Sequence, residues 1–393
     1  MKFPGTAVVY RSVCLQVVFL TGFLPSGYNM AADAVPPDPR VRQIVEELEL
    51  PRSPGAMRDN PDWHPQRIVV SLPAGVAQQM PELEAQLRRN AGTVELVLDA
   101  SNNMVPTTAV LAGADAYIGL CSPAVLANAS PRLLWVHNYT AGMEDCAGLT
   151  PAQTQGRIFT NSKRLAGPAI AEHAIAMLLS LATGLPAYQR AQVESRWDRS
   201  RAAGAKFGEL RGKTLLVVGL GGIGTEIAWR ANSLGMRVIA IRHSSREGPD
   251  FLDYIGLPEE LPVLARDADV VVNALPLTAQ TTGIFNQAFF DEMKNGAIFI
   301  SVGRGGSTVT AALVAALQAG QLYGAGLDVT DPEPPALDSP LRTLPNVVIT
   351  PHIAGCIENC NRMGELAVEE LRRFFAGETA VYQITPDVLK RIA

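Results

Sequence analysis

The chain has 393 residues, room for two domains, and its 47% hydrophobic and 18% charged content is that of a folded globular protein. A formal net charge of -5 leaves no basic footprint, which argues against a nucleic-acid partner. Its five cysteines give no disulfide framework and no second pair to complete a zinc site, so isolated thiols are expected at Cys121, Cys146, Cys356 and Cys360, and no metal.

Taken in order, the chain opens on an unusual stretch. Lys2 and Arg11 precede an apolar run from Val13 to Leu24, and Ala32-Asp-Ala34 follows. A basic start, a short apolar run and an Ala-x-Ala site are the parts of a secretory signal peptide. The run is too short to span a bilayer, so no stable membrane span is expected. Residues 1–34 therefore read as a leader, with export to the periplasm and retention in the cytoplasm both left open. Residues 35–66 read as a proline-rich arm around a helix-like piece, Val41 to Leu50.

From Arg67 the pattern alternates between strand and helix. Ile68–Leu72, Val94–Leu98, Ala116–Leu120 and Leu133–His137 have the apolar content of short strands, and Pro81–Arg89 that of a helix. Ala169 to Thr183 is apolar almost all round, as a helix buried between domains or subunits would be. Its only ionisable groups, Glu172 and His173, are expected to be structural. After Leu210 six strands are predicted, at 214–219, 237–242, 269–275, 297–302, 323–329 and 346–350, with helical stretches between most of them. Such alternation argues for a doubly wound parallel sheet. A last helix, Glu358 to Phe375, ends too soon to found another domain, so the chain is expected to return to the first. The predicted organisation is a substrate-binding domain of residues 67–165 plus 356–393, with residues 166–355 inserted as a dinucleotide-binding domain.

Within the second run, Lys213-Thr-Leu-Leu-Val-Val runs straight into Gly219, Gly221 and Gly224, and an amphipathic segment follows at once. Strand, G-x-G-x-x-G turn and helix together make a dinucleotide-binding fingerprint. Gly219 permits the turn, Gly221 lets the backbone approach a pyrophosphate, and Gly224 lets helix and strand pack. The next strand ends not in the carboxylate that holds a ribose 2′-OH but in Arg242-His-Ser244-Ser-Arg246. Arginines and hydroxyls there suit a 2′-phosphate, so NADP is favoured over NAD.

Three later loops each follow a predicted strand and present polar residues: Val302-Gly-Arg304-Gly, Asp328 through Asp331-Pro-Glu333-Pro, and Pro351-His352-Ile-Ala-Gly355. With the glycine turn and Asn273-Ala-Leu-Pro-Leu-Thr278, they resemble the D-isomer-specific 2-hydroxyacid dehydrogenases over about residues 67–380. The Ala171-Glu-His-Ala174 helix also fits. The resemblance implies a Rossmann sheet inserted into a smaller flavodoxin-like α/β domain, an NAD(P)H cofactor and a small 2-oxo or 2-hydroxy acid substrate. The nearest guess is of the glyoxylate and hydroxypyruvate kind.

By that resemblance Arg304 anchors the substrate, His352 is the acid/base and Glu333 its partner, with Asp331 the competing carboxylate. The cofactor set would be Gly219, Gly221, Gly222, Ile223, Gly224, Arg242, Ser244, Leu275, Pro276, Val302, Gly303, Asp328 and Ala354. Tyr139, Ala141 and Gly142, with Asn138, would line the substrate side, and a homodimer would form through the 166–205 region. The chain departs from the family at Ser301, where Asn is usual, and at Ser307-Thr-Val-Thr, where an acidic residue is. Two rivals are carried: a non-enzymatic NAD(H)-binding sensor on the same scaffold, and a different enzyme on a Rossmann sheet.

Overall fold

The computed structural model describes residues 52–71, 80–99, 105–127, 129–197, 199, 207–243, 245–355, 359–381 and 383–384. The leader, the helix-like piece at 41–50, Ser244 and Cys356 lie outside them. The described chain builds two sheets. The first holds β1 (Arg67–Ser71), β2 (Glu95–Asp99), β3 (Ala116–Gly119), β4 (Trp135–Asn138), β5 (Ile158–Asn161) and β13 (Gln383–Ile384), in the order β13-β5-β4-β3-β1-β2. Its first five strands are parallel in the flavodoxin-like order, and β13 closes the edge antiparallel to β5.

The second sheet is parallel throughout. It comprises β6 (Thr214–Val218), β7 (Arg237–Ile241), β8 (Tyr254–Gly256), β9 (Val270–Asn273), β10 (Ala297–Ser301), β11 (Leu322–Leu327) and β12 (Val347–Ile349), in the order β12-β11-β10-β9-β6-β7-β8. Counted from β6 this is the doubly wound dinucleotide-binding order with one strand added. The predicted fold class holds. The sequence pattern missed β5, β8 and β13. β8 is three residues at a sheet edge, and β5 ends in Thr160 and Asn161, so neither reads as an apolar run.

Both faces of the second sheet are buried, which is why its strands read as continuous apolar runs. Leu215, Val217, Val238 and Ala240 face α2 (Gly167–Thr183) and α4 (Gly222–Ser233), while Leu216, Val218, Ile239 and Ile241 face a cluster containing Phe285, Phe289, Phe290 and Phe299. Helix α2 stops at Gly184, whose φ of +71° supplies the left-handed cap, and α3 (Leu185–Val193) begins at once. The helix α5 (Thr310–Gln318) follows β10. The last helix, α6 (Asn359–Ala376), lies on the first sheet with α1 (Leu83–Ala91): Leu366, Leu371 and Phe374 pack with Leu83, Leu87 and Trp135.

One expectation fails. Cys121 and Cys146 are not isolated thiols but a disulfide, with Cα atoms 5.1 Å apart across a sequence separation of 25. Their spacing carried no signal, because only the fold brings the end of β3 beside the turn after β4. A loop of that size removes about 3.5 kcal/mol of unfolded-chain entropy. The side chains of Cys356 and Cys360 are outside the described residues.

Two buried titratable groups give the fold a pH signature. Glu370 on α6 is wholly buried; Oε1 accepts from Val381 N–H at 2.7 Å, and Oε2 meets no partner among the described residues. Burial pushes its pKa up from 4.5 to about 8. Its contribution to stability is complete below pH 4.5 and is lost progressively as pH rises to about 8. Burial pushes His137 on β4 the other way, from 6.5 down to about 3, so its contribution is complete above pH 6.5 and is lost as pH falls. Of the two, only Glu370 acts between about pH 6.5 and 8. Glu370→Gln should therefore flatten the melting-temperature profile in that window. A mutant profile as steep as the wild type would contradict the assignment.

Candidate active site

Gly219 follows the last residue of β6 and turns with φ +103°. A Cβ there would sit 2.9 Å from the Ala274 carbonyl, and one on Gly224 would sit 2.1 Å from the Gly219 carbonyl, so neither position admits a side chain. Gly222 is closed differently, by the side chain of Arg164. At Gly221, the N-cap of α4, no protein atom lies within 4 Å of where a Cβ would point. Backbone N–H groups at a helix start beside an open cradle fit a pyrophosphate. Ile223, next along, packs into the core beneath.

Arg242 lies just past β7, half-buried, and donates to the Glu247 carbonyl. The second arginine of that run is committed elsewhere: Arg246 pairs with Glu260 at 2.7 Å and donates to the Tyr254 hydroxyl at 2.8 Å. Glu260 is held down to about 2 by the Leu257 N–H, the Tyr254 hydroxyl and Arg246, so this pair stays ionised. Of the two arginines in that run, Arg246 is thus the one paired with Glu260, and Arg242 the one held by a backbone carbonyl, with Ser244 outside the described residues.

The remaining candidates meet at the carboxyl ends of four neighbouring strands. Asn273 pairs in register with Ser301, Ser301 with Leu327, and Leu327 with Ile349, so the loops that follow leave side by side. Leu275 and Pro276 follow β9, and Val302 and Gly303 follow β10. Arg304 is flanked by two positions without room for a side chain: a Cβ on Gly303 would lie 2.6 Å from the Leu275 carbonyl, and one on Gly305 1.9 Å from the Thr330 carbonyl.

A buried amide secures that turn. Asn273 Nδ2 donates to Ser301 Oγ (3.0 Å) and Ser307 Oγ (2.8 Å), while Oδ1 accepts from Leu275 N–H (3.0 Å). Ser307 in turn donates to the Arg304 carbonyl at 2.7 Å. Ser301 and Ser307, which the sequence marks only as departures from the family, are the braces of the Arg304 loop.

His352 Nδ1 lies 2.8 Å from Glu333 Oε1, both half-exposed. Among the described residues the Asp331 carboxylate makes no such contact with the ring; its backbone carbonyl accepts from the Thr310 hydroxyl. The loop carries cis peptide bonds at Asp331–Pro332 and Glu333–Pro334. His352 itself has φ +54°, a conformation that costs a non-glycine residue about 1–3 kcal/mol and needs support. Asp328, 3% exposed, gives much of it: its carbonyl accepts the His352 N–H (2.9 Å), Oδ1 the Ile353 N–H (3.0 Å) and Oδ2 the Ala354 N–H (3.1 Å).

On the first sheet, the loop after β4 is braced from behind. Tyr139 is buried in the core and its N–H is used by the Gly119 carbonyl at 2.8 Å. Asn138 is buried too, its Nδ2 donating to the Gly142 carbonyl (2.6 Å) and its Oδ1 accepting the Cys121 N–H (2.8 Å). Asn161 holds the Ala141 carbonyl at 2.8 Å. Thr140, Ala141 and Gly142 are the half-exposed part of this loop. Among the described residues, no group of three or more His, Cys, Asp or Glu is placed to hold a metal, and no single helix is long and apolar enough to cross a membrane.

A glycine turn into α4, on a doubly wound sheet whose carboxyl edge gathers Arg304, Glu333 and His352, defines a nicotinamide-dinucleotide protein. Residues 175–354 match the family model for the D-isomer specific 2-hydroxyacid dehydrogenase, NAD binding domain. The chain is 35% identical over 269 residues to glyoxylate reductase of Pyrococcus furiosus, covering 66% of this chain and 78% of that one. It is 35% identical over 229 residues to D-3-phosphoglycerate dehydrogenase of Archaeoglobus fulgidus, covering 58% of this chain but only 42% of that longer relative. A solved D-isomer specific 2-hydroxyacid dehydrogenase of Xanthobacter autotrophicus, in complex with NADPH and MES, superposes with TM-score 0.65 at 27% identity, over 83% of this chain and all of that one. The chain belongs to the D-isomer-specific 2-hydroxyacid dehydrogenase family.

The glycine geometry separates two substitutions. Gly221→Ala meets no protein atom, so it should keep the wild-type melting temperature while weakening NADPH binding about tenfold or more. Gly224→Ala collides with the Gly219 carbonyl and should lower both. Equal NADPH affinity in Gly221→Ala and wild type, by titration calorimetry, would contradict the pyrophosphate assignment.

Proposed function

We propose that the chain is an NAD(P)H-dependent reductase of small 2-oxo acids of the glyoxylate and hydroxypyruvate kind, forming D-2-hydroxy acids. The observation that carries this reading is the His352–Glu333 pair, set beside the Arg304 loop at the carboxyl edge of a dinucleotide-binding sheet. Residues 166–355 would be the cofactor side, and 67–165 with 356–393 the substrate side.

The nicotinamide, when bound, supplies the hydride. Every other task falls to side chains. Arg304, permanently charged and fork-shaped, holds the substrate carboxylate and polarises the keto oxygen. With Glu333 on Nδ1, the imidazole presents Nε2 to the developing alkoxide and delivers its proton there. Glu333 stabilises the imidazolium that precedes the transfer. Ala141 and Gly142 offer backbone to the carboxylate, and Tyr139 shapes that loop from within the core.

Gly219, Gly221, Gly222, Ile223 and Gly224 would hold the pyrophosphate. Leu275, Pro276, Val302, Gly303, Asp328 and Ala354 would surround the nicotinamide half, with Arg242 and Ser244 at the 2′-phosphate. The missing carboxylate after β7 and the presence of Arg242 support NADPH over NADH. The sensor alternative is not favoured, because a non-enzymatic scaffold has no need of Arg304, Glu333 and His352 together.

Leu185, Val193 and Trp197 are exposed on and just after α3, which supports a homodimer through the 166–205 region. The Cys121–Cys146 disulfide supports the exported alternative for the leader, since such bonds persist in oxidising compartments. A monomer by light scattering, or an intact leader after expression in a secretion-competent host, would contradict these two proposals in turn.

NADPH and NADH oxidation should be compared with glyoxylate, hydroxypyruvate and phenylpyruvate. The proposal expects turnover with the two small acids and faster turnover with NADPH. His352→Ala should lose about 10²- to 10⁴-fold in kcat and retain NADPH binding. Cofactor binding without turnover on any oxo acid would favour the sensor instead, and a preference for NADH would remove Arg242 from the argument alone.

A further inference from the structure

Helix α2 reaches the acid/base loop through one side chain that the proposed chemistry does not use. His173, half-buried in the middle of α2, places Nε2 2.8 Å from the Thr350 hydroxyl. That hydroxyl donates its single proton to Asp328 Oδ1 at 2.7 Å, so the bond from His173 must run the other way, with Nε2–H donating to Thr350. His173 Nε2 also lies 3.7 Å from Asp328 Oδ1. Asp328 meanwhile grips both residues that follow His352, through the N–H groups of Ile353 and Ala354.

The neighbouring residue fixes where His173 stands. Glu172 pairs with Arg230 of α4 at 2.9 Å, and Arg230 also pairs with Glu226 at 2.5 Å. Helix α2 is thereby tied to the helix that starts at the glycine turn, one residue away from where it is tied to the acid/base loop.

We infer that His173, acting through Thr350 and Asp328, is a positioning residue that holds His352 in its left-handed conformation and sets the ring against Glu333. The inference rests on the reductase reading for its catalytic consequence but not for the clamp itself. A φ of +54° on His352 is held only while its surroundings over-determine it. The N–H groups of Ile353 and Ala354 are donated to the Asp328 carboxylate, and that of His352 to the Asp328 and Thr350 carbonyls. Asp328 is in turn oriented by a hydroxyl whose own acceptor site His173 fills. Without that last donor, the Thr350 hydroxyl is free to rotate and the carboxylate loses a fixed partner.

The test uses His173→Ala, His173→Gln, whose amide can still donate to Thr350, and the near-isosteric Thr350→Val. Two quantities are read: amide hydrogen exchange at Ile353 and Ala354, and kcat with hydroxypyruvate and NADPH. In His173→Ala and Thr350→Val, exchange should quicken and kcat fall, each by about tenfold or more. His173→Gln should recover most of both. Unchanged exchange in His173→Ala and Thr350→Val overturns the clamp, whether or not the wild type turns over. Faster exchange with unchanged kcat in an active enzyme overturns the positioning role. A His173→Gln variant as impaired as His173→Ala assigns the loss to helix packing and overturns it as well. A wild type inactive on every oxo acid would sink the reductase reading, and the exchange measurement would still decide the clamp.

Discussion

The carboxylate of Asp328 is the point on which the loop carrying His352 depends. It is nearly dry, and a buried carboxylate is tolerable only with its lone pairs filled. Here they are filled by the Thr350 hydroxyl and by the backbone of the loop that carries His352. The same bonds that make burial tolerable therefore fix a strained backbone. One residue satisfies an electrostatic requirement of the fold and a geometric requirement of the His352 loop.

Parallel pairing supplies the rest of the arrangement. Because β9, β10, β11 and β12 end in register, short loops suffice to bring Arg304, Glu333 and His352 to one edge without long excursions. The glycine turn uses the neighbouring strand in the same sheet. Its tolerances are narrow: Gly219 and Gly224 are closed to side chains by backbone carbonyls, while Gly221 is left open toward the cradle. The Asn273 amide then does for the Arg304 loop what Asp328 does for the His352 loop, joining adjacent strand ends by buried polar bonds.

Much of this was legible in the sequence, and for identifiable reasons. Buried parallel strands read as apolar runs, so the core of the second sheet was placed within a residue or two. Two of the three glycines, Gly219 and Gly224, are demanded by backbone contacts that admit no side chain. The short edge strand at Tyr254–Gly256 was not legible, because three residues running from exposed to buried are too few to show a period. Nor was the Cys121–Cys146 bond, which depends on loops meeting across the first sheet. Arg246 illustrates a different limit: its charge suggested a phosphate, but Glu260 and Tyr254, recognisable only in the fold, already hold it. Ser301 and Ser307 stood out as departures from a family pattern, and their role as partners of Asn273 appears only in three dimensions.

On the proposed reading, this carboxyl edge directs hydride and proton onto a 2-oxo acid to give one enantiomer. The most direct measurement is a single turnover of glyoxylate's larger homologue, hydroxypyruvate, with NADPH deuterated at nicotinamide C4, followed by chiral separation of the product. The account predicts deuterium at C2 of the D-hydroxy acid when the transferred face carries the label. Formation of the L-hydroxy acid, or a product without label from either face of the cofactor, would contradict it.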